Sequence, residues 1–181
     1  SPPGTTETLK SMIFKLRPDL NKENSDLLFA HCPERVLPGR IVQEMTANPR
    51  IVGGLTTEAT ERAARLYSHI TKGKILQTNA KTAELTKLTE NAFRDVNIAF
   101  ANELSLICDE LKINVWELIK LANRHPRVNI LSPGPGVGGH CIAVDPWFIV
   151  DSAPALARMM GYATPQDLIN GIGDIASTVY V

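Results

Sequence analysis

From Ala80 to Leu111 the chain has neither Gly nor Pro, and its apolar residues recur at helical spacing. Leu85, Leu88, Ala92, Val96, Ala99, Leu104, Ile107 and Leu111 make one wide apolar face. Glu84, Lys87, Asn91, Asp95 and Asn102 fall within about 60° of a single line on the same helix. Such a row is either a solvated stripe or a polar wall facing a site. A helix of this length spans roughly 45 Å at about 1.5 Å per residue. That exceeds what a small domain buries, so the pattern predicts that part of it packs on another domain or a second chain.

Before this helix the pattern alternates between strand and helix. Ser1 to Thr6 reads as a turn with two prolines, Glu7 to Lys15 as a helix, and Leu27 to Cys32 as a short strand. Ile51 to Gly54 is a second strand. Thr56 or Thr57 caps a helix over Glu58 to Ile70, whose early acids suit the helix dipole. Gly73 ends that helix, and Lys74 to Thr78 is a third strand. Strand, helix and strand at this spacing indicate the tail of an α/β sheet. After the long helix, Asn114 caps a helix over Val115 to Asn123, Cys141 to Val150 reads as strand broken by Pro146, and Ala153 to Met160 reads as a helix. Gly161 to Val181 fits no element.

Composition narrows the class. Of 181 residues, 44% are hydrophobic and 21% charged, which is a globular composition. The 19 basic residues balance the 19 acidic ones, so nothing in the charge calls for nucleic acid or an anionic membrane. No apolar run approaches the ~18 residues of a membrane span. The start carries no Met and no signal-peptide pattern, and reads as an excised middle. Cys32, Cys108 and Cys141 have no scaffold spacing, which fits the reducing cytoplasm.

The densest chemistry lies in SPGPGVGGHCIAVDPWFIV, Ser132 to Val150. Gly134, Gly136 and Gly139 match a dinucleotide fingerprint, but no strand-to-helix frame surrounds them. Gly134 and Gly139 have P-loop spacing, but His140 and Cys141 stand where Lys and Ser or Thr are needed. A nucleophile loop is the third reading: glycines let a substrate lie against the backbone while Cys141 attacks it. A structural loop with a buried thiol is the fourth. His31-Cys32 and His140-Cys141 lack the two-to-four-residue ligand spacing of zinc sites, so no metal is expected. Glu34 follows the first strand in CPERVLPG, on the carboxyl edge where α/β sheets place ligands, or it simply pairs with Arg35 or Arg40.

PGPGVGGHCIAVDPWF resembles the catalytic-cysteine loop of the UDP-sugar 6-dehydrogenases, the group that includes UDP-glucose dehydrogenase. His140 and IAVDPWF are most similar to its UDP-N-acetylmannosamine branch. AELTKLTENAF resembles the family's AELxKLxxNxF pattern. The likeness runs upstream through most of the chain and fades after about Met160. It implies the C-terminal portion of a Rossmann NAD-binding domain over 1–78, a mostly helical central dimerisation domain over 79–160, and an unassigned tail over 161–181. It further implies NAD as cofactor, a UDP-sugar as substrate and a homodimer through the long helix. By residue, it implies catalysis by Cys141, Lys87, Asp145 and Glu34. Substrate binding falls to Asn91, Arg127, His140 and Gly138, and cofactor contacts to Thr5 and Glu34. Lys87 would stabilise oxyanions. Two departures are visible: Pro38 stands where glucose enzymes carry a second Glu, and Val144 stands where many relatives carry Lys. In the family the Gly-rich NAD fingerprint precedes the PxGTT turn and a second Rossmann domain follows the Cys loop. The chain alone is therefore expected to be inactive, and the rival reading is a non-catalytic dimerisation module.

Overall fold

The computed structural model describes residues 1–21, 27–37, 39–135 and 144–152. The expected helix over 153–160 and the tail over 161–181 lie outside them. The chain divides into two compact units, Ser1–Lys87 and Leu88–Val181.

The first unit is built on helix α1 (Thr5–Leu16), strand β1 (Ala30–His31), helix α2 (Ile41–Ala47), strand β2 (Arg50–Gly54), helix α3 (Thr57–Ser68) and strand β3 (Ile75–Asn79). Sheet order is β1-β2-β3. β2 pairs with β3 in parallel, from Arg50 opposite Ile75 to Gly54 opposite Asn79, with α3 as the crossover. β1 pairs with β2 antiparallel, through Ala30 with Gly54 and His31 with Gly53. β2 is central, and all five of its residues are buried. Burying Ile51 and Val52 there contributes about 1.5–3 kcal/mol each.

Two glycines let the helices close on this strand. A Cβ on Gly53 would stand 2.4 Å from the Asn79 carbonyl and 2.7 Å from Ala83 Cβ. One on Gly54 would stand 2.5 Å from the Thr60 amide. Thr56 caps α3 by accepting the Ala59 N–H at 3.1 Å, and Thr60 Oγ1 accepts the Gly54 N–H at 2.9 Å.

Helix α4 runs from Ala80 to Leu111, the bounds expected from its pattern, and crosses from the first unit into the second. Lys112 ends it at φ 56°, a left-handed position without Gly, and the Ile113 N–H closes back on the Cys108 carbonyl at 2.8 Å. Asn114 then caps α5 (Val115–Ala122) by accepting from the Trp116 and Glu117 N–H groups at 3.0 and 3.2 Å.

Three expectations are corrected. Asp145–Asp151 is a helix, α6, where strand was expected. Pro146 is its second residue, a position where a missing N–H costs nothing, so the proline starts a helix instead of breaking a strand. β1 is shorter than Leu27–Cys32 because it pairs only with Gly53 and Gly54. The faces of α4 also differ from those expected. Leu88 and Ala99 are buried, but Leu85, Val96, Ile107 and Leu111 are exposed, together with Phe93 and Phe100. The polar row is not solvated: Glu84 is 1% exposed, and Asn91, Asp95 and Asn102 are buried with it.

Candidate functional site

In the first unit the expected acid, Glu34, follows β1. Because β1 is antiparallel to β2, this places Glu34 at the amino ends of β2 and β3, not at their carboxyl edge. Strand direction is set by pairing and is not written in the local pattern. There Glu34 Oε2 meets Arg50 Nη2 at 3.2 Å, and its Oε1 accepts the Arg35 N–H at 2.7 Å. The Arg50 guanidinium is 7% exposed and lies over the Tyr67 ring, 4.5 Å from its centre. Buried cation and aromatic ring thus form a fixed seat for a half-exposed carboxylate. Pro33, Val36, Asn48 and Pro49 line a cleft of about 10 Å³ beside it, room for one water. Burial pushes the Cys32 thiol up, against the pull of Arg50, so this cysteine stays a thiol at neutral pH.

Thr5 is the first residue of α1, whose N-cap is Gly4 at φ 94°. Gly4 has no side chain to accept from the first turn, so the exposed amides need an outside acceptor. Glu84 of α4 supplies it: Oε2 accepts the Gly4 N–H at 2.5 Å, and Oε1 accepts the Thr6 N–H and Oγ1–H at 2.7 and 2.6 Å. Burial alone would raise this carboxyl, but the Thr6 and Gly4 hydrogen bonds and His31 outweigh it and hold the pKa below the usual range. The Thr5 hydroxyl donates to the Pro2 carbonyl at 2.6 Å, which leaves its oxygen as an acceptor. Lys87 is half-buried, and its ammonium forms no ion pair with a described residue.

In the second unit, two expected site residues meet. Asn91 Nδ2 donates to Asp145 Oδ2 at 2.5 Å, which joins α4 to the first residue of α6. Asn102 Oδ1 accepts the Gly134 N–H at 2.8 Å and so holds the entrance of the Gly-rich loop on α4. Asn123 clasps the preceding segment twice, donating to the Ile130 carbonyl at 2.9 Å and accepting its N–H at 2.7 Å. Burial pushes the Asp95 carboxyl up, and its Oδ1, with Asn102 Nδ2 and Glu103 Oε1, has no partner among the described residues. Arg127 is exposed in the loop between α5 and the Gly-rich stretch. Gly138, His140 and Cys141 lie outside the described residues.

Motif reading missed the roles of Arg50 and Glu84. The signal for Glu84 was a helix start at Gly-Thr-Thr with no acidic cap of its own, which requires an acceptor from elsewhere. Among the described residues no group of three His, Cys, Asp or Glu is placed to hold a metal, and no helix is long and apolar enough to cross a membrane.

Residues 1–71 match the NAD binding domain of the UDP-glucose/GDP-mannose dehydrogenase family, and residues 81–171 match its central domain. A Ralstonia nicotianae protein described as NDP-N-acetyl-D-galactosaminuronic acid dehydrogenase is 62% identical over 165 residues, 88% of this chain and 39% of that protein. A Campylobacter jejuni UDP-N-acetyl-D-mannosamine dehydrogenase is 61% identical over 165 residues, covering 88% of this chain and 40% of its own. The solved structure of a UDP-D-ManNAc dehydrogenase from Pyrococcus horikoshii superposes with a TM-score of 0.82 at 44% identity, over 98% of this chain and 40% of that one. The chain thus spans about two fifths of the length of these relatives.

Proposed function

The chain belongs to the UDP-glucose/GDP-mannose dehydrogenase family, and from that premise we propose that the protein it represents oxidises C6 of a UDP-N-acetylhexosamine to the carboxylate, with NAD as hydride acceptor. UDP-N-acetyl-D-mannosamine is the leading substrate. The observation that carries this reading is the identity of 58–62% over 165 residues to relatives whose names all specify N-acetylated sugars. The galactosaminuronic relative favours a second epimer by the same chemistry. UDP-GlcNAc and UDP-glucose are the further alternatives, with Pro38 standing against glucose.

Bound NAD supplies the hydride acceptor, once for each oxidation. Among the described residues the fit to it is one edge of a site: the Thr5 hydroxyl oxygen is free to accept, while the first-turn amides of α1 are already taken by Glu84. In this reading the C6 alcohol loses a proton and a hydride to give an aldehyde. The Cys141 thiol adds to that carbon, its proton ending on the former carbonyl oxygen, and the resulting thiohemiacetal loses its hydroxyl proton and a second hydride to become a thioester. Water then cleaves the C–S bond, giving the carboxylate and returning the thiol. The sulfur keeps the aldehyde from escaping. Lys87 stabilises the oxyanions, Asp145 manages the attacking water, Glu34 is a second candidate for that role, and Asn91 both orients Asp145 and contacts the sugar. Arg127, His140 and Gly138 complete substrate binding.

In this reading residues 1–78 belong to the NAD-binding domain and 79–160 to the central domain, whose family match runs on to residue 171. The exposed stripe of Phe93, Val96, Phe100, Ile107 and Leu111 on α4 supports a homodimer through this helix. A cytoplasmic location follows from the nucleotide-sugar and NAD substrates. The test is a panel of UDP-sugars with the complete enzyme. The reading expects kcat/KM for UDP-N-acetyl-D-mannosamine at least tenfold above that for UDP-glucose, and equal rates on glucose would reject it.

A further inference from the structure

Helix α1 begins without an acceptor of its own. Its N-cap is a glycine in the left-handed region, and neither Thr5 nor Pro2 offers a side-chain oxygen to the Gly4 and Thr6 amides. Glu84 closes all three donors with one carboxylate, from a position that is 1% exposed. No other described residue replaces it: Lys81 with Glu7 at 3.3 Å, also between these helices, is an exposed ion pair. Exposed pairs of that kind contribute little, whereas charge-assisted hydrogen bonds inside the fold are strong and directional.

We infer that Glu84 is a positioning residue, a buried clamp that fixes the turn carrying Thr5 onto the α4 turn that precedes Lys87. The inference rests on the functional reading of Thr5 as a cofactor contact and Lys87 as the oxyanion partner. One carboxylate, held by bonds of 2.5–2.7 Å, sets the separation between the two groups. Its two oxygens divide the work, Oε2 on Gly4 and Oε1 on Thr6, so a single neutral oxygen cannot reproduce it. An amide at this position presents one acceptor and turns an N–H group toward the Gly4 amide, which leaves the turn free to shift. Displacements of about 1 Å in a reacting constellation cost about 10- to 100-fold in rate. The loss falls on kcat, because substrate and cofactor are still held by their other contacts.

The test uses the complete enzyme with Glu84→Gln, Thr6→Val, Thr6→Ser, Glu7→Gln and Lys87→Ala. Glu84→Gln is expected to lower kcat about 10- to 100-fold with both KM values within about threefold. Thr6→Val removes one of the three bonds and gives a smaller loss of the same kind. Thr6→Ser keeps the hydroxyl and restores kcat. Glu7→Gln breaks the exposed pair between the same two helices and leaves kcat unchanged. Amide exchange at Gly4 and Thr6 speeds up in Glu84→Gln and not in Glu7→Gln. If Glu84→Gln does not fold, the Thr6→Val and Thr6→Ser pair decides the matter alone. Wild-type kcat in Glu84→Gln or in Thr6→Val, while Lys87→Ala is inactive, overturns the clamp and leaves the functional reading intact. Wild-type kcat in Lys87→Ala overturns the reading itself.

Discussion

Glu84 and Asp95 both lie on α4, both are buried, and they are opposites. Glu84 receives three hydrogen bonds and is held ionised below the usual carboxylate range. Asp95 Oδ1 has no partner among the described residues, and burial pushes its carboxyl up. The same residue class on one helix therefore serves two ends: a saturated acid stabilises the fold, and an unsaturated one costs stability. The contrast explains why burial alone does not identify function on this helix. What a buried acid does depends on how many donors face it.

Asn91, on the same helix, is the position of largest expected effect. In the complete enzyme Asn91→Leu removes the amide that donates to Asp145 and is expected to cost about 100-fold or more in kcat/KM, as for loss of a group acting in the transition state. Steady-state kinetics against wild type reads this, and an unchanged value would detach the Asn91–Asp145 pair from the chemistry. Next comes Glu84→Leu, which strands the Gly4 amide and both Thr6 donors and is expected to destabilise by about 3–5 kcal/mol in urea unfolding. Phe100→Lys on the exposed stripe should weaken self-association about 100-fold, read by sedimentation, since an unpaired charge in an apolar interface is costly. A wild-type chain that stays monomeric at high concentration removes the dimer proposal.

The smallest effect sharpens the contrast directly. Asp95→Asn is expected to stabilise by about 1 kcal/mol at neutral pH, because it removes a buried charge with an unmet oxygen. The two acids also give opposite pH slopes. A depressed folded pKa at Glu84 gives stability that is present above the unfolded carboxylate value and is lost as pH falls through the folded value. A raised folded pKa at Asp95 gives stability that is present below the unfolded value and is lost as pH rises through the folded one. Thermal midpoints from pH 3 to 7 should therefore lose their acid-side fall in Glu84→Gln and gain in the neutral range in Asp95→Asn.

Much of this was legible in the chain. The α4 bounds were legible because a long Gly- and Pro-free run that stops just before the Asn114 cap leaves little choice. The Asn114 cap was legible for the same local reason, and the structure chooses Thr56 from the two threonines that could cap α3. Helix α2 went unseen because it is seven residues long and its N-cap makes no side-chain hydrogen bond. Proline at the second position of α6 was read as a breaker, although the first turn tolerates it. Nonlocal facts were the hardest. The edge on which Glu34 sits depends on the direction of β1, and the partner of Glu84 lies 78 residues away. Asn91 and Asp145 were both named through family resemblance, but their meeting across 54 residues required the fold.

The direct measurement is the NADH formed per UDP-N-acetyl-D-mannosamine consumed by the complete enzyme, for wild type and for Cys141→Ala. The account predicts two NADH and a C6 carboxylate with wild type, and loss of acid formation in Cys141→Ala with sugar binding retained. Two NADH per sugar at a near-normal rate from Cys141→Ala would contradict it.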